Sequence, residues 1–273
     1  MIQSLWTPED DKAAGALREA SADGDLLGAM VAIEGLDKEA SRAPLELVQA
    51  WGNEARHLVS RRGRHLALDT LRQILVDEAG FKGDREDYHA PQNSLLSDVL
   101  LRRRGLPIVL SALWMEVGRR AGIAVEGVGM PGHFIVRVES QLCDPFDSGR
   151  SLTREDCARI VSELSGGKLP LSESMLKANT TSQILERILR NLVKSYVRSE
   201  SSLELYRSVR LLASLNPSPA NLLSHGRVAE KSGAFTLALQ TYEGLLARHP
   251  SCMEARLARQ LIRPLKKRVS RLN

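Results

Sequence analysis

A chain of 273 residues, 43% of them hydrophobic, can bury one large or two ordinary cores without covalent staples. Its three cysteines, Cys143, Cys157 and Cys252, are odd in number and lack metal-type spacing, which argues against a disulfide framework or a cysteine metal site and for a reducing compartment. Lysine and arginine (38) exceed aspartate and glutamate (33) by 5, yet only 4% of residues are aromatic and neither GxxxxGK nor GxGxxG occurs, so nothing marks a phosphate loop or a stacking surface for bases.

The amino-terminal MIQSLWTPEDDK is acidic and without an apolar run, unlike a secretory or transit peptide. The longest uncharged apolar stretch, Leu106 to Met115, stops at Glu116, well short of the roughly 20 residues of a membrane span. The expectation is a cytoplasmic protein with no membrane partner. From Pro8 to Glu78 apolar residues recur at three and four (Leu26, Met30, Ile33; Leu45, Leu47, Val48, Trp51; Leu68, Leu71, Ile74, Leu75), predicting leading helices over 8–78 punctuated by Gly24, Gly35, Gly63 and Gly80. FKGDREDYHAPQNS then reads as loop, followed by a short helix carrying Leu95, Leu96, Val99 and Leu100.

Pro107 opens the clearest helix, since proline suits the first turn, where its missing N–H has no partner to lose; Leu110, Leu113, Trp114, Val117 and Ala121 mark one buried stripe before Gly122. Strands are predicted at Val125–Val128, Phe134–Val138 and Leu142–Phe146. In the middle one Phe134, Val136 and Val138 alternate with His133, Ile135 and Arg137, setting an apolar face against one that holds His133 and Arg137. Thr153 with Asp156 predicts a capped helix ending before Gly166 and Gly167, and Thr180 with Gln183 another. Residues 168–182 read as a linker and 183–255 as helices. There Gly226, Gly233, Ala238, Tyr242 and Pro250 fall at tetratricopeptide-repeat spacing, and Pro217 lies 33 residues before Pro250. Residues 256–273 form a basic tail (Arg256, Arg259, Arg263, Lys266, Lys267, Arg268, Arg271) without an acidic residue, read as a solvated face or a contact for an acidic partner.

The chemistry-bearing stretch lies between Gly105 and Asp144. Thiol-dependent acyl transfer needs a cysteine at a helix amino terminus, where the dipole and a nearby imidazolium lower its pKa from about 8.5 toward about 4. A histidine on a neighbouring strand takes the proton, and a carboxylate orients the histidine. The helix start, His133 and Asp144 follow in that order, and the layout resembles the transglutaminase-like superfamily, in which the helix runs from the cysteine to a Gly-Ile step, then a histidine, then Asp-Pro. Setting Gly122-Ile123 on that step puts Pro107 at the cysteine position.

More closely, NSLLSDVLLRRRGLPIVLSALWMEVGRRAGIAVEGVGMPGHFIVRV, with RRRGLPIVLS, MPGHF and CDPF in order, resembles the bacterial SirB-type family, in which a transglutaminase-like core precedes tetratricopeptide repeats. That resemblance implies an α+β, mostly helical chain: a papain/transglutaminase-like helix-and-strand core over 1–167, including the leading helices, and a helical tetratricopeptide-like tail. It also implies a regulatory or binding role. Proline offers neither nucleophile nor donor, so the expected function is a non-catalytic scaffold that binds a protein or peptide partner, without cofactor or metal and without nucleic acid. The alternative is a hydrolase of amide or ester bonds in which His133 and Asp144 activate water, or Ser111, one turn beyond Pro107, attacks.

Bland roles stand beside each of these. His133 and Asp144 also fit a structural pair, and Asp144 before Pro145 a turn; Cys143, pointing opposite to Asp144, is expected in the core. Asn93, Ser94, Ser111 and Arg137 are the candidates to line a binding cleft. Asn93-Ser94 also fits a helix cap, Ser111 a packing residue, and Arg102, Arg103 and Arg104 cations set against a helix's carbonyl pole.

Overall fold

The computed structural model describes residues 8–270. Residues 1–7, which begin the stretch read for targeting signals, and residues 271–273, with Arg271 of the basic tail, lie outside it. The chain divides into two compact units, Ala20–Ile188 and a second built from the described residues before Ala20 and after Ile188. Helices dominate; the described strands form one four-stranded sheet and one two-stranded pair. No described helix is long and apolar enough to cross a membrane.

Following α1 (Pro8–Asp23), the larger unit begins with α2 (Leu26–Glu34), started by the Asp25 carboxylate, which accepts the Gly28 N–H at 3.0 Å. Asp37 does the same for α3 (Lys38–Arg62), accepting from Glu39 and Ala40. Then come α4 (Ala67–Arg72), a π-helical turn at Gln73–Glu78, β1 (Lys82–Gly83), a 3-10 turn at Pro91–Ser94 and α5 (Leu96–Arg102). Here β2 (Arg104–Gly105) pairs in parallel with β1 and leads straight into α6 (Pro107–Ala121).

The predicted start and stop of α6 hold: Pro107 is in its first turn, and Gly122 closes it at φ 73°. The single predicted stripe does not describe its burial, because Ile108, Val109, Ala112, Glu116 and Gly118 are buried as well. A helix apolar on nearly every side belongs inside, and α6 packs on α3 as well as on β3 (Val125–Met130) and β4 (His133–Val138). At about 1.5–3 kcal/mol for each large apolar side chain, its buried Leu110, Leu113, Trp114 and Val117 are a main anchor of the unit.

The sheet continues antiparallel through β5 (Gln141–Asp144) and β6 (Arg150–Leu152) in the order β3-β4-β5-β6. The predicted third strand ends two residues early: Pro145 has no N–H for the ladder, and the chain turns through a 3-10 helix at Pro145–Asp147. The expected polar face of β4 is also covered. Ile135 joins Val128, Met130 and Leu152 in a second core with Cys157 and Val161 of α7 (Arg154–Ser165), so the sheet is packed on both sides. Thr153 and Asp156 form the predicted capping box on α7, and Gly166 ends it. Residues 168–182 hold a 3-10 turn at Glu173–Leu176; Leu171, Met175 and Leu176 pack on this second core, and Asn179 accepts the Gly129 N–H at 2.7 Å. Next, α8 (Thr181–Arg198) starts on the reciprocal bonds of Thr180 and Gln183 and buries Ile184, Leu185 and Ile188.

In the second unit α9 (Ser202–Leu215), α10 (Pro219–Lys231), α11 (Phe235–Arg248) and α12 (Met253–Val269) pack each on the next. Tyr206, Leu222, Ala229, Ala238, Tyr242 and Leu245 are at the centre. The described basic residues of the tail, Arg256, Arg259, Arg263, Lys266, Lys267 and Arg268, are exposed on α12, whose other face buries Ala258 and Leu265 in that core.

Candidate functional site

His133 opens β4 and Asp144 closes β5. Val136 is paired with Cys143, which sets Asp144 opposite Ile135 and makes His133 its diagonal neighbour on the same face. Nε2 of His133 lies 2.7 Å from Oδ2 of Asp144, and Oδ1 accepts the Phe146 N–H at 2.9 Å. Both side chains are sheltered, 12% and 5% exposed. A carboxylate so placed selects the tautomer with the proton on Nε2, leaving Nδ1 as an acceptor, and Nδ1 has no hydrogen-bond partner among the described residues.

Around the pair stand residues that local sequence patterns did not single out. Phe146 presents its ring edge-on to His133 (centroids 6.1 Å) and to Tyr88 (5.8 Å). It seats against Gly83, where a Cβ would lie 2.5 Å from the ring, so only glycine permits the approach. The Tyr88 hydroxyl is pushed above its ordinary pKa by burial, with Arg187 pulling it down and Asp144 adding to the rise, which places it within electrostatic reach of both. Arg187 donates to the carbonyls of Met130 (3.0 Å) and His133 (2.6 Å) and lies 5.4 Å over the Phe134 ring; burial works against its positive charge. Tyr88 sits in an expected loop and Arg187 on a distant helix, so no spacing rule links either to the pair.

Pro107 is buried at the start of α6, and the preceding Leu106 N–H bonds the Asn93 carbonyl at 2.9 Å. Asn93, expected to line a cleft, is fully buried: its amide donates to the Asp87 carbonyl (2.7 Å), and its Oδ1 accepts from Arg102 (3.0 Å). Arg102 also pairs with buried Asp84 at 2.8 Å. Burial pushes the Asp84 carboxyl up, but the Asp87 N–H and the Arg102 guanidinium outweigh it and hold the group below the ordinary carboxylate value. This network ties the 84–93 segment to the helix start and gives Asn93 a structural role.

Ser94 and Ser111, the other two small cleft candidates, are likewise buried, with no hydrogen-bond partner for either hydroxyl, so neither faces solvent. No side chain caps α5, so Asn93 and Ser94 do not act as its cap. Arg137 is engaged by Glu126 (2.6 Å) and the Leu176 carbonyl (2.5 Å). The Arg102–Arg104 run serves tertiary contacts: Arg103 lies over Trp51 and Phe81, and Arg104 pairs with Glu86. Cys143 is fully buried, its thiol pushed above the ordinary range by burial and by the charge of Asp144; burial and Asp156 push Cys157 up too. Neither is a ready thiolate. No group of three or more His, Cys, Asp or Glu among the described residues is placed to hold a metal ion. The arrangement therefore offers an oriented imidazole with a free acceptor nitrogen, beside a tyrosine and an arginine, and no exposed nucleophile at the helix start.

The profile described as transglutaminase-like superfamily matches residues 42–190. A UPF0162 protein of Xylella fastidiosa (strain Temecula1) is 32% identical over 194 residues, 68% of this chain and 69% of that protein. A UPF0162 protein of Xylella fastidiosa (strain 9a5c) is 36% identical over 141 residues, so the chain spans about half (50%) of its length. The human F-box only protein 21 is 29% identical over 160 residues, 51% of this chain and 24% of that protein. No solved structure matches.

Proposed function

Because the chain belongs to the transglutaminase-like superfamily and to the UPF0162 family, we propose that it is a non-catalytic member of that superfamily, a SirB-type scaffold that binds protein or peptide partners in a regulatory role. The observation carrying this reading is the contrast between an oriented His133–Asp144 pair and a buried proline where the thiol chemistry would need its nucleophile. On the same reading the second unit is of tetratricopeptide type, supported by the close approach of Gly226 to Tyr242, and its helices offer a further surface to peptide segments. The three free cysteines support a cytoplasmic setting.

The test has two arms. Acyl and amide substrates and electrophilic acyl probes are offered to the full chain, and proteins captured on it are identified and rebound in purified form. The expected result is no turnover, no covalent adduct, and at least one purified partner that binds directly; a trapped adduct refutes it.

The free Nδ1 of His133 favours one second reading, a hydrolase in which the imidazole takes a proton from water. It requires turnover that disappears in both His133→Ala and Asp144→Ala; activity indifferent to either change eliminates it.

A further inference from the structure

We propose that Arg187 and Tyr88 make the surroundings of the His133–Asp144 pair a carboxylate-reading subsite, so that the ligand is a peptide presenting a free carboxylate, either its own chain terminus or an Asp or Glu side chain. This rests on the reading of the protein as a peptide binder and gives that ligand its chemistry.

The argument begins with the company Arg187 keeps. In the same unit Arg103 lies against the Trp51 and Phe81 rings, while the partly buried Arg120 and Arg137 are each matched by a carboxylate, Glu116 and Glu126. Arg187 has none within ion-pair distance among the described residues. Its bonds go to two backbone carbonyls, Met130 and His133, and both leave from Nη2. The guanidinium is thus aimed by the β3–β4 turn and by the Phe134 ring, while its remaining N–H groups are uncommitted. Asp144 makes its ion pair with His133 and accepts the Phe146 N–H, and it forms none with Arg187. With both Nη2 hydrogens spent on the Met130 and His133 carbonyls, Nη1 remains to give a carboxylate oxygen a charge-assisted N–H bond, and the Tyr88 hydroxyl, within electrostatic reach of Arg187, can give an O–H bond to the same group. The charge of Asp144 disfavours a dianion such as phosphate at the same place. Apolar ground for the rest of a peptide lies beside the turn: Leu164 of α7, 55% exposed, sits over Gly132, its Cβ 3.1 Å from where a Cβ on that glycine would be.

The test passes a random hexapeptide library over the immobilised full chain in four forms: free carboxyl terminus without acidic residues, amidated terminus with one Asp or Glu, amidated terminus without acidic residues, and the last with one phosphoserine. One of the two carboxylate forms is expected to be retained at least tenfold over the uncharged form, and which one identifies the source of the carboxylate. Arg187→Gln abolishes the preference, and Tyr88→Phe, which deletes only a hydroxyl, weakens it several-fold. Equal retention of carboxylate and uncharged forms overturns the subsite while leaving peptide binding standing. Retention of no form overturns both. Preference for phosphoserine, or a preference unchanged in both variants, overturns the assignment to Arg187 and Tyr88.

Discussion

Acidification should loosen the second unit through one imidazole, His225 of α10. The side chain is 7% exposed; Nδ1 lies 3.4 Å from the Thr241 hydroxyl, Nε2 has no hydrogen-bond partner, and the ring sits 5.9 Å from Tyr206. Burial first, and then the nearby Arg210 cation, bring its pKa down from 6.5 to about 4. The unfolded chain therefore binds the proton more tightly than the folded one. The stability contributed by the neutral ring is fully present above pH 6.5, falls as the pH drops toward 4, and changes no further once both states are protonated. At about 1.4 kcal/mol per tenfold difference in proton affinity, the gap between 6.5 and about 4 amounts to about 3 kcal/mol. Urea unfolding of the full chain at pH 7.5, 5.5 and 4, compared with His225→Phe, isolates this contribution, since the other titrating groups are common to both proteins. The wild type should lose about 3 kcal/mol more than the variant over that range. Parallel losses in the two proteins would show that the buried imidazole is not the sensor.

Gly226→Ala would put a Cβ 2.3 Å from the Tyr242 ring and should destabilise the second unit by about 1–3 kcal/mol, whereas Gly244→Ala, with nothing within 4 Å, should stabilise by up to about 1 kcal/mol; both are read from urea midpoints. A double-mutant cycle of His133→Ala and Asp144→Ala should return a coupling of about 1–3 kcal/mol in thermal or urea unfolding, and strictly additive losses would mean that the 2.7 Å bond contributes nothing. Iodoacetamide at pH 8 should modify Cys252 well before Cys143 and Cys157, read by mass spectrometry of the folded protein, because the latter two are buried and their thiols are held protonated. In Pro107→Cys the new thiol should be as slow as Cys143; rapid labelling would reveal an open cleft at the helix start.

The boundaries of α6, α7 and α8 were legible because their signals are local: a proline in the first turn, a left-handed glycine after the last, and Thr-x-x-Asp or Thr-x-x-Gln bonding reciprocally across one turn. His133 and Asp144 could be singled out for a related reason, since strand alternation places side chains on faces within a few residues. Partnerships were beyond local reach. Ile135 shares the period of His133 and Arg137, but what covers that face is α7, and Asn93 and Ser94 look like a cap until Arg102 and Asp84 enclose the segment.

Residue types and their spacing alone determined that the helix start carries a ring unable to attack, that an imidazole and a carboxylate follow on strands, and that no apolar run is long enough for a membrane-spanning helix. Only the tertiary structure decided that Pro107 and Ser111 are sealed from solvent, that Tyr88 and Arg187 stand beside the pair, and that the basic last helix buries Ala258 and Leu265. Such outcomes depend on which faces meet across long stretches of chain. That choice is settled by the summed burial and hydrogen bonding of the whole unit, and no single window of residues contains it.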